Sequence, residues 1–146
     1  MSPDLTPLHV HDVMSRDVVT VRPEATIGAA IDRVMRRGHT HLVVVDGDGG
    51  LLDVISAHLL TTALMTRLID RRQPLVEVLA EPVVVRADAQ LAEAAGLMME
   101  MSVDALGVID GAESLVGLLT WADIGRSVVA VPAAGEGARA ERRDLG

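Results

Sequence analysis

HLVVVDGDGGLLDVIS, residues 41–56, is two short apolar runs closed over a turn: HLVVVD, then LLDVIS, joined by Gly47, Asp48, Gly49 and Gly50. Aliphatic and β-branched residues on both sides of a glycine-rich connection read as a β-hairpin. The same arrangement returns 64 residues later as ALGVIDGAESLVGLLT, residues 105–120. At that offset residues 18–60 align with residues 82–124 without a gap, with 11 identities in 43 positions, among them Val44/Val108, Asp46/Asp110, Gly47/Gly111 and Leu51/Leu115. The chain is a tandem repeat, and whatever one copy folds into the other copy should fold into as well.

Working outward from the hairpins, each copy opens with a short extended segment, VVTVRP or VVVRAD. A helix follows, its apolar residues spaced i, i+3, i+4, i+7, i+8 at Ile27, Ala30, Ile31, Val34 and Met35, and again at Leu91, Ala94, Ala95, Met98 and Met99. Thr26 is placed to cap the first of these helices and Gly38 to end it. A last helix closes each copy, over 57–70 and 121–130. The unit is β-α-β-β-α used twice, an α/β (α+β) fold with one repeat over 8–66 and the second over 74–130. Arg71, Arg72 and Pro74 mark the junction. The tail 131–146 is Ala, Gly and charge without an apolar stripe; it is expected to be flexible and is assigned no function.

Composition narrows the chemistry. The 146 residues carry 13 positive and 21 negative side chains, for a net charge of −8, which argues against nucleic acid as a partner. All the positive residues are Arg; there is no Lys, Cys, Phe or Tyr, and Trp121 is the only aromatic ring outside the histidines. That removes the Schiff-base lysine, the phosphate-loop lysine and the thiolate nucleophile together and leaves few nucleophiles. The start of the chain has no basic segment followed by an apolar core, and no stretch reaches the ~18 apolar residues of a spanning helix. A soluble cytoplasmic protein is expected.

Two copies of about sixty residues, each running V-x-V, amphipathic helix, h-h-V-V-D-x-x-G and G-h-h-T-x-x-D, resemble the CBS domain, named after cystathionine β-synthase. The resemblance covers roughly residues 8–130. It implies an intramolecular pair, often called a Bateman module, that binds adenosine-containing ligands such as AMP, ADP, ATP or S-adenosylmethionine in clefts between the repeats, without catalysis and without a resident cofactor. It implies a homodimer and a regulated protein that the sequence does not identify. Carried over residue by residue, Thr120 and Asp123 match T-x-x-D, the aspartate taking both ribose hydroxyls and the threonine reaching toward phosphate. They are expected to share a cleft with Val19 and with His39, Thr40 and His41. The second cleft keeps a hydroxyl at Ser56, but Leu59 replaces the carboxylate and Asp53 stands where the family favours glycine; it is expected to be weak or empty. With no Phe or Tyr, the surface under the adenine is expected to be aliphatic.

Other readings compete. Thr120 and Asp123 also fit an ordinary helix start. A scaffold for interaction with degenerate clefts is the alternative function. His9/His11 and His39/His41 have a spacing that suits zinc or nickel, which makes a histidine-based metal sensor a further alternative; a third ligand is not evident, and exposed strand histidines are the simpler account. DGDGG lacks the full spacing of a calcium loop and reads as a turn. Met35, Met65, Met98, Met99 and Met101 read as core or dimer-interface residues.

Overall fold

The computed structural model describes residues 8–129; the first residues of the chain and the tail expected over 131–146 lie outside the described residues. Each repeat builds a three-stranded sheet, β1-β2-β3 from Val19–Val21, His41–Val45 and Leu51–Ser56, and β4-β5-β6 from Val84–Arg86, Ala105–Ile109 and Leu115–Thr120. In both, the first strand runs parallel to the second and the second antiparallel to the third. Register is preserved between the copies: Thr20 faces Val43 as Val84 faces Gly107, and each hairpin carries an irregularity at the same place, Val44/Val45 and Val108/Ile109.

The repeated aspartates explain the turns. The Asp46 carboxylate accepts from the Asp48 and Gly50 N–H groups, and the Asp110 carboxylate accepts from those of Ala112 and Ser114. An aspartate that binds its own loop backbone is what a tight turn uses. Glycine supplies the left-handed residue in the first copy, Gly49 at φ 83°, and Glu113 takes that conformation in the second at φ 63°.

The helices α2 (Ile27–Arg36) and α4 (Leu91–Met101) cover the sheets, and α3 (Ala57–Met65) and α5 (Trp121–Val129) follow the hairpins. Thr26 caps α2, accepting from the Ala29 N–H at 3.1 Å, and Gly38 at φ 69° ends it, with the His39 N–H donating to the Val34 carbonyl. The helix expected over 57–70 stops at Met65. Arg67 turns left-handed at φ 62°, and the N–H of Leu68 donates back to the Ala63 carbonyl at 2.9 Å, closing a Schellman motif without glycine. Of the five methionines singled out above, only Met98 is core; Met35, Met65, Met99 and Met101 are exposed.

One feature of the architecture carries no periodic signal. A one-turn helix α1 (Val10–Val13) opens the first repeat ahead of β1, and a 3₁₀ turn, Leu75–Val78, opens the second ahead of β4. Each docks against the other copy. Val10 and His11 donate backbone hydrogen bonds to Ala89 and Ala87, and Val10 is fully buried among Ala94, Met98, Leu106, Val108 and Leu119 of the second repeat. Leu75 and Val76 donate to Ala25 and Pro23, and Leu75 is fully buried in the core of the first repeat with Ile27, Ala30 and Leu42. A third cluster, Val43, Ala105 and Leu118, joins the two sheets to each other.

Candidate functional site

The T-x-x-D motif begins α5. The Thr120 hydroxyl accepts from the Asp123 N–H at 3.2 Å while the Asp123 carboxylate accepts from the Thr120 N–H at 3.0 Å, a reciprocal capping pair. The same carboxylate accepts from the hydroxyls of Thr120 (3.1 Å) and Ser15 (2.9 Å) and from the Arg126 guanidinium. Asp123 is 2% exposed. Four donors saturate a group with about four acceptor positions. Two protein hydroxyls therefore occupy the places that the sequence reading reserved for a ribose diol.

The other residues expected around it are also engaged within the protein. Val19 is fully buried in the core of the first repeat. His39 has its ring nitrogens on the carbonyls of Arg37 and Asp17, each at 3.0 Å. The Thr40 hydroxyl pairs with His41 Nδ1 at 2.9 Å, and His41 Nε2 lies 3.1 Å from the Asp104 carboxylate across the interface between repeats, without hydrogen-bond alignment. The expected site is thus a set of internal contacts in this structure, Asp123 held by Ser15 and Arg126 and segment 39–41 held by Asp17, Arg37 and Asp104.

Open space lies at the position where a weak or empty cleft was expected. A cleft of about 970 Å³ is walled by Asp53, Ser56, His58 and Leu59 of the first repeat and by residues 80–83 and 102–105 of the second. Ser56 caps α3, its hydroxyl accepting from the Leu59 N–H at 3.3 Å, and Leu59 stands two-thirds exposed at the cleft where its counterpart Asp123 is covered. Trp121 also lines this cleft. The repeat alignment places that indole opposite Ala57 of the first copy, and it adds a π-face to a cleft wall that is otherwise largely aliphatic.

The cleft is acidic. Asp53, Glu81 and Asp104 line it, and among the described residues His58 is its one basic side chain and no arginine lines it. Asp53 is buried, and burial pushes its carboxyl above the ordinary aspartate value, opposed by hydrogen bonds from the N–H groups of Ala80 and Val54. Its place in the fold is set by the repeat: the counterpart Gly117 lets the Ser15 backbone approach and exchange two hydrogen bonds with Leu118. In the first copy the Asp53 side chain fills that space and takes the Ala80 N–H itself. The sequence places Asp53 at the second cleft, but Asp104 and Trp121 join it there only through the pairing of one repeat against the other.

The sequence profile of the CBS domain matches residues 10–66 and 75–130. Inosine-5'-monophosphate dehydrogenase of Methanocaldococcus jannaschii is 30% identical over 114 residues, 77% of this chain and 22% of that protein. The chain spans about a quarter or less of the length of the curated relatives it matches. Among solved structures, the Arabidopsis thaliana protein CBSX2 in complex with AMP superposes with a TM-score of 0.72 at 25% identity, covering 85% of this chain and 98% of that one. A CBS domain pair in complex with 5-methylthioadenosine and S-adenosyl-L-methionine shares the fold, with a TM-score of 0.74 at 23% identity over 84% of this chain and 96% of that one.

Proposed function

The chain belongs to the CBS domain family, and from that premise we propose that it is a regulatory module binding an adenosine-containing ligand in the cleft between its repeats, at Ser56, Leu59 and Trp121. The observation that carries this reading is the cleft itself, built jointly by both repeats and holding the chain's one tryptophan. The complex of CBSX2 with AMP supports the adenosine part. Charge refines it: among the described residues three carboxylates and no arginine line the cavity, so each added phosphate meets repulsion there, whereas a cationic or neutral adenosine such as S-adenosylmethionine relieves the desolvated Asp53. Binding favours one packing of the two repeats over another, and a protein that contacts the module reads the difference. Exposed Met35, Met65 and Met99 on the helices, with Leu68 just past the end of α3, offer apolar surface for a homodimer.

The site anticipated from sequence is the second reading: Thr120 and Asp123 with Val19, His39, Thr40 and His41. It is favoured by the two hydroxyls already on Asp123, since a ribose diol displacing Ser15 and Thr120 keeps the acceptor positions of the carboxylate filled.

Titration of Trp121 fluorescence with AMP, ATP and S-adenosylmethionine tests both. The first reading expects S-adenosylmethionine to bind most tightly and ATP least. Leu59→Asp, which places a diol acceptor in the open cleft, should strengthen binding by about 2 kcal/mol, roughly 30-fold, while Asp123→Asn leaves it unchanged. Loss of binding in Asp123→Asn with no effect of Leu59→Asp selects the second reading. No response to any of the three ligands, by fluorescence or calorimetry, overturns both.

A further inference from the structure

Outside the cleft, α1 gathers three ligating side chains that the module's nucleotide chemistry does not use. The stretch His9, Val10, His11, Asp12 buries Val10 in the second repeat's core and turns both histidines outward. Their rings lie parallel, 2° apart in plane with centroids 5.4 Å apart. Asp12 faces both: its carboxylate is 3.2 Å from His11 Nδ1 and 3.8 Å from His9 Nδ1, and the three donor atoms lie within 4.8 Å of one another. The carboxylate is held in place by the His9 N–H, which donates to it at 2.9 Å. The nearby Arg16 guanidinium is spent on the His11 carbonyl.

Donors held by bonds of 2.0–2.1 Å at the corners of a tetrahedron are about 3.3 Å apart. The 3.2 Å separation of His11 Nδ1 from Asp12 Oδ1 matches that edge length, the 3.8 Å of His9 Nδ1 from Oδ2 and the 4.8 Å bound on the set exceed it, and rotation of two half-exposed imidazoles and of the carboxylate brings the donors together. The frame beneath them is fixed, because Val10 and His11 are hydrogen-bonded to Ala89 and Ala87 and His9 pairs with Gln90. The histidine spacing alone leaves a third ligand unidentified; the helical turn supplies it in Asp12.

We propose that His9, His11 and Asp12 form a site for a divalent first-row transition metal of the zinc class, with the fourth position open to water. Two imidazoles and one carboxylate suit Zn²⁺ or Ni²⁺ and disfavour Mg²⁺ and Ca²⁺, which prefer oxygen ligands. Because α1 is the arm that the first repeat lends to the second, metal binding there fastens the arm onto its docking site and stabilises the pair by mass action.

Calorimetric titration of the full chain with ZnCl₂, with bound metal counted by mass spectrometry, tests this. One zinc per chain is expected, with at least tenfold weaker binding in His9→Ala/His11→Ala and in Asp12→Asn, and full binding in His39→Ala/His58→Ala. Thermal unfolding should shift upward with Zn²⁺ in the unaltered protein and in the His39/His58 variant only, and not with MgCl₂. The exposed position of His9 and His11 leaves both variants folded, which circular dichroism verifies. Absence of stoichiometric zinc at 100 µM, or equal binding in the His9/His11 variant, overturns the proposal.

Discussion

Asp123 shows how one spacing serves two purposes. A threonine and an aspartate three residues apart are the residues of a helix capping pair, and they are also the residues that a ribose and a phosphate would recruit; in this chain the capping pair is made, and Ser15 and Arg126 complete it. Removing a buried acceptor strands its donors, so Asp123→Ala is expected to lower the unfolding free energy by about 2–4 kcal/mol. Arg126, largely exposed, contributes little, and Arg126→Ala should cost less than about 1 kcal/mol in the same denaturant titration. Asp53 behaves oppositely to most acids. Burial raises its folded pKa above 3.8, so its ionised form costs stability at neutral pH, and the cost disappears as pH falls through the folded value toward the unfolded one. Measured against Asp53→Asn, which does not titrate, the unaltered protein should gain relative stability on acidification across that window; a difference independent of pH would contradict the assignment. The sequence shows the unusual aspartate at position 53 but not its burial or its partner, because the Ala80 N–H that it accepts from comes from the segment leading into β4 of the other repeat.

At the scale of the element, the hairpins and the amphipathic helices were legible because period-two and period-3.6 patterns survive in both copies, and each pattern could be checked against its counterpart 64 residues away. Helix ends were harder. Gly38 announces the end of α2, but the corresponding end of α4 falls on Ser102 at φ 55° and that of α3 on Arg67, where no glycine signals the left-handed turn. A side chain in that region is strained, so Ser102→Gly should raise stability by about 0.5–1 kcal/mol while Gly38→Ala lowers it by a similar amount. Thermal melts of the two variants, moving in opposite directions from the parent, are the expected result. A different constraint acts within β6. A Cβ on Gly117 would lie 2.8 Å from the Ser15 carbonyl oxygen, so Gly117→Ala should cost about 1–3 kcal/mol and loosen Ser15 from Asp123, visible as faster hydrogen exchange at Ser15 and Leu118.

At the scale of the molecule, the two repeats are completed by exchange. Val10 closes the core of the second and Leu75 that of the first, each delivered by the segment that precedes the other. Neither arm was legible, because a single turn that buries one residue leaves no periodicity to find; α1 has four residues and so does the 3₁₀ turn. The consequence is cooperativity. A chain cut between the copies leaves each half with an arm that has no partner and a core that lacks its plug, so residues 66–129 alone should fail to fold as a monomer, or should pair with a second half that supplies the missing arm. The point substitution makes the same test without truncation. Leu75→Ala sits in the first repeat's core, next to Ile27 and Leu42, and should cost about 2–5 kcal/mol. If exchange couples the halves, that loss lowers the unfolding midpoint of Trp121, which lies in the second repeat, together with that of the whole-chain circular dichroism signal. Separate midpoints, with Trp121 unfolding where it did before, would mean that the repeats stand independently despite their crossed arms.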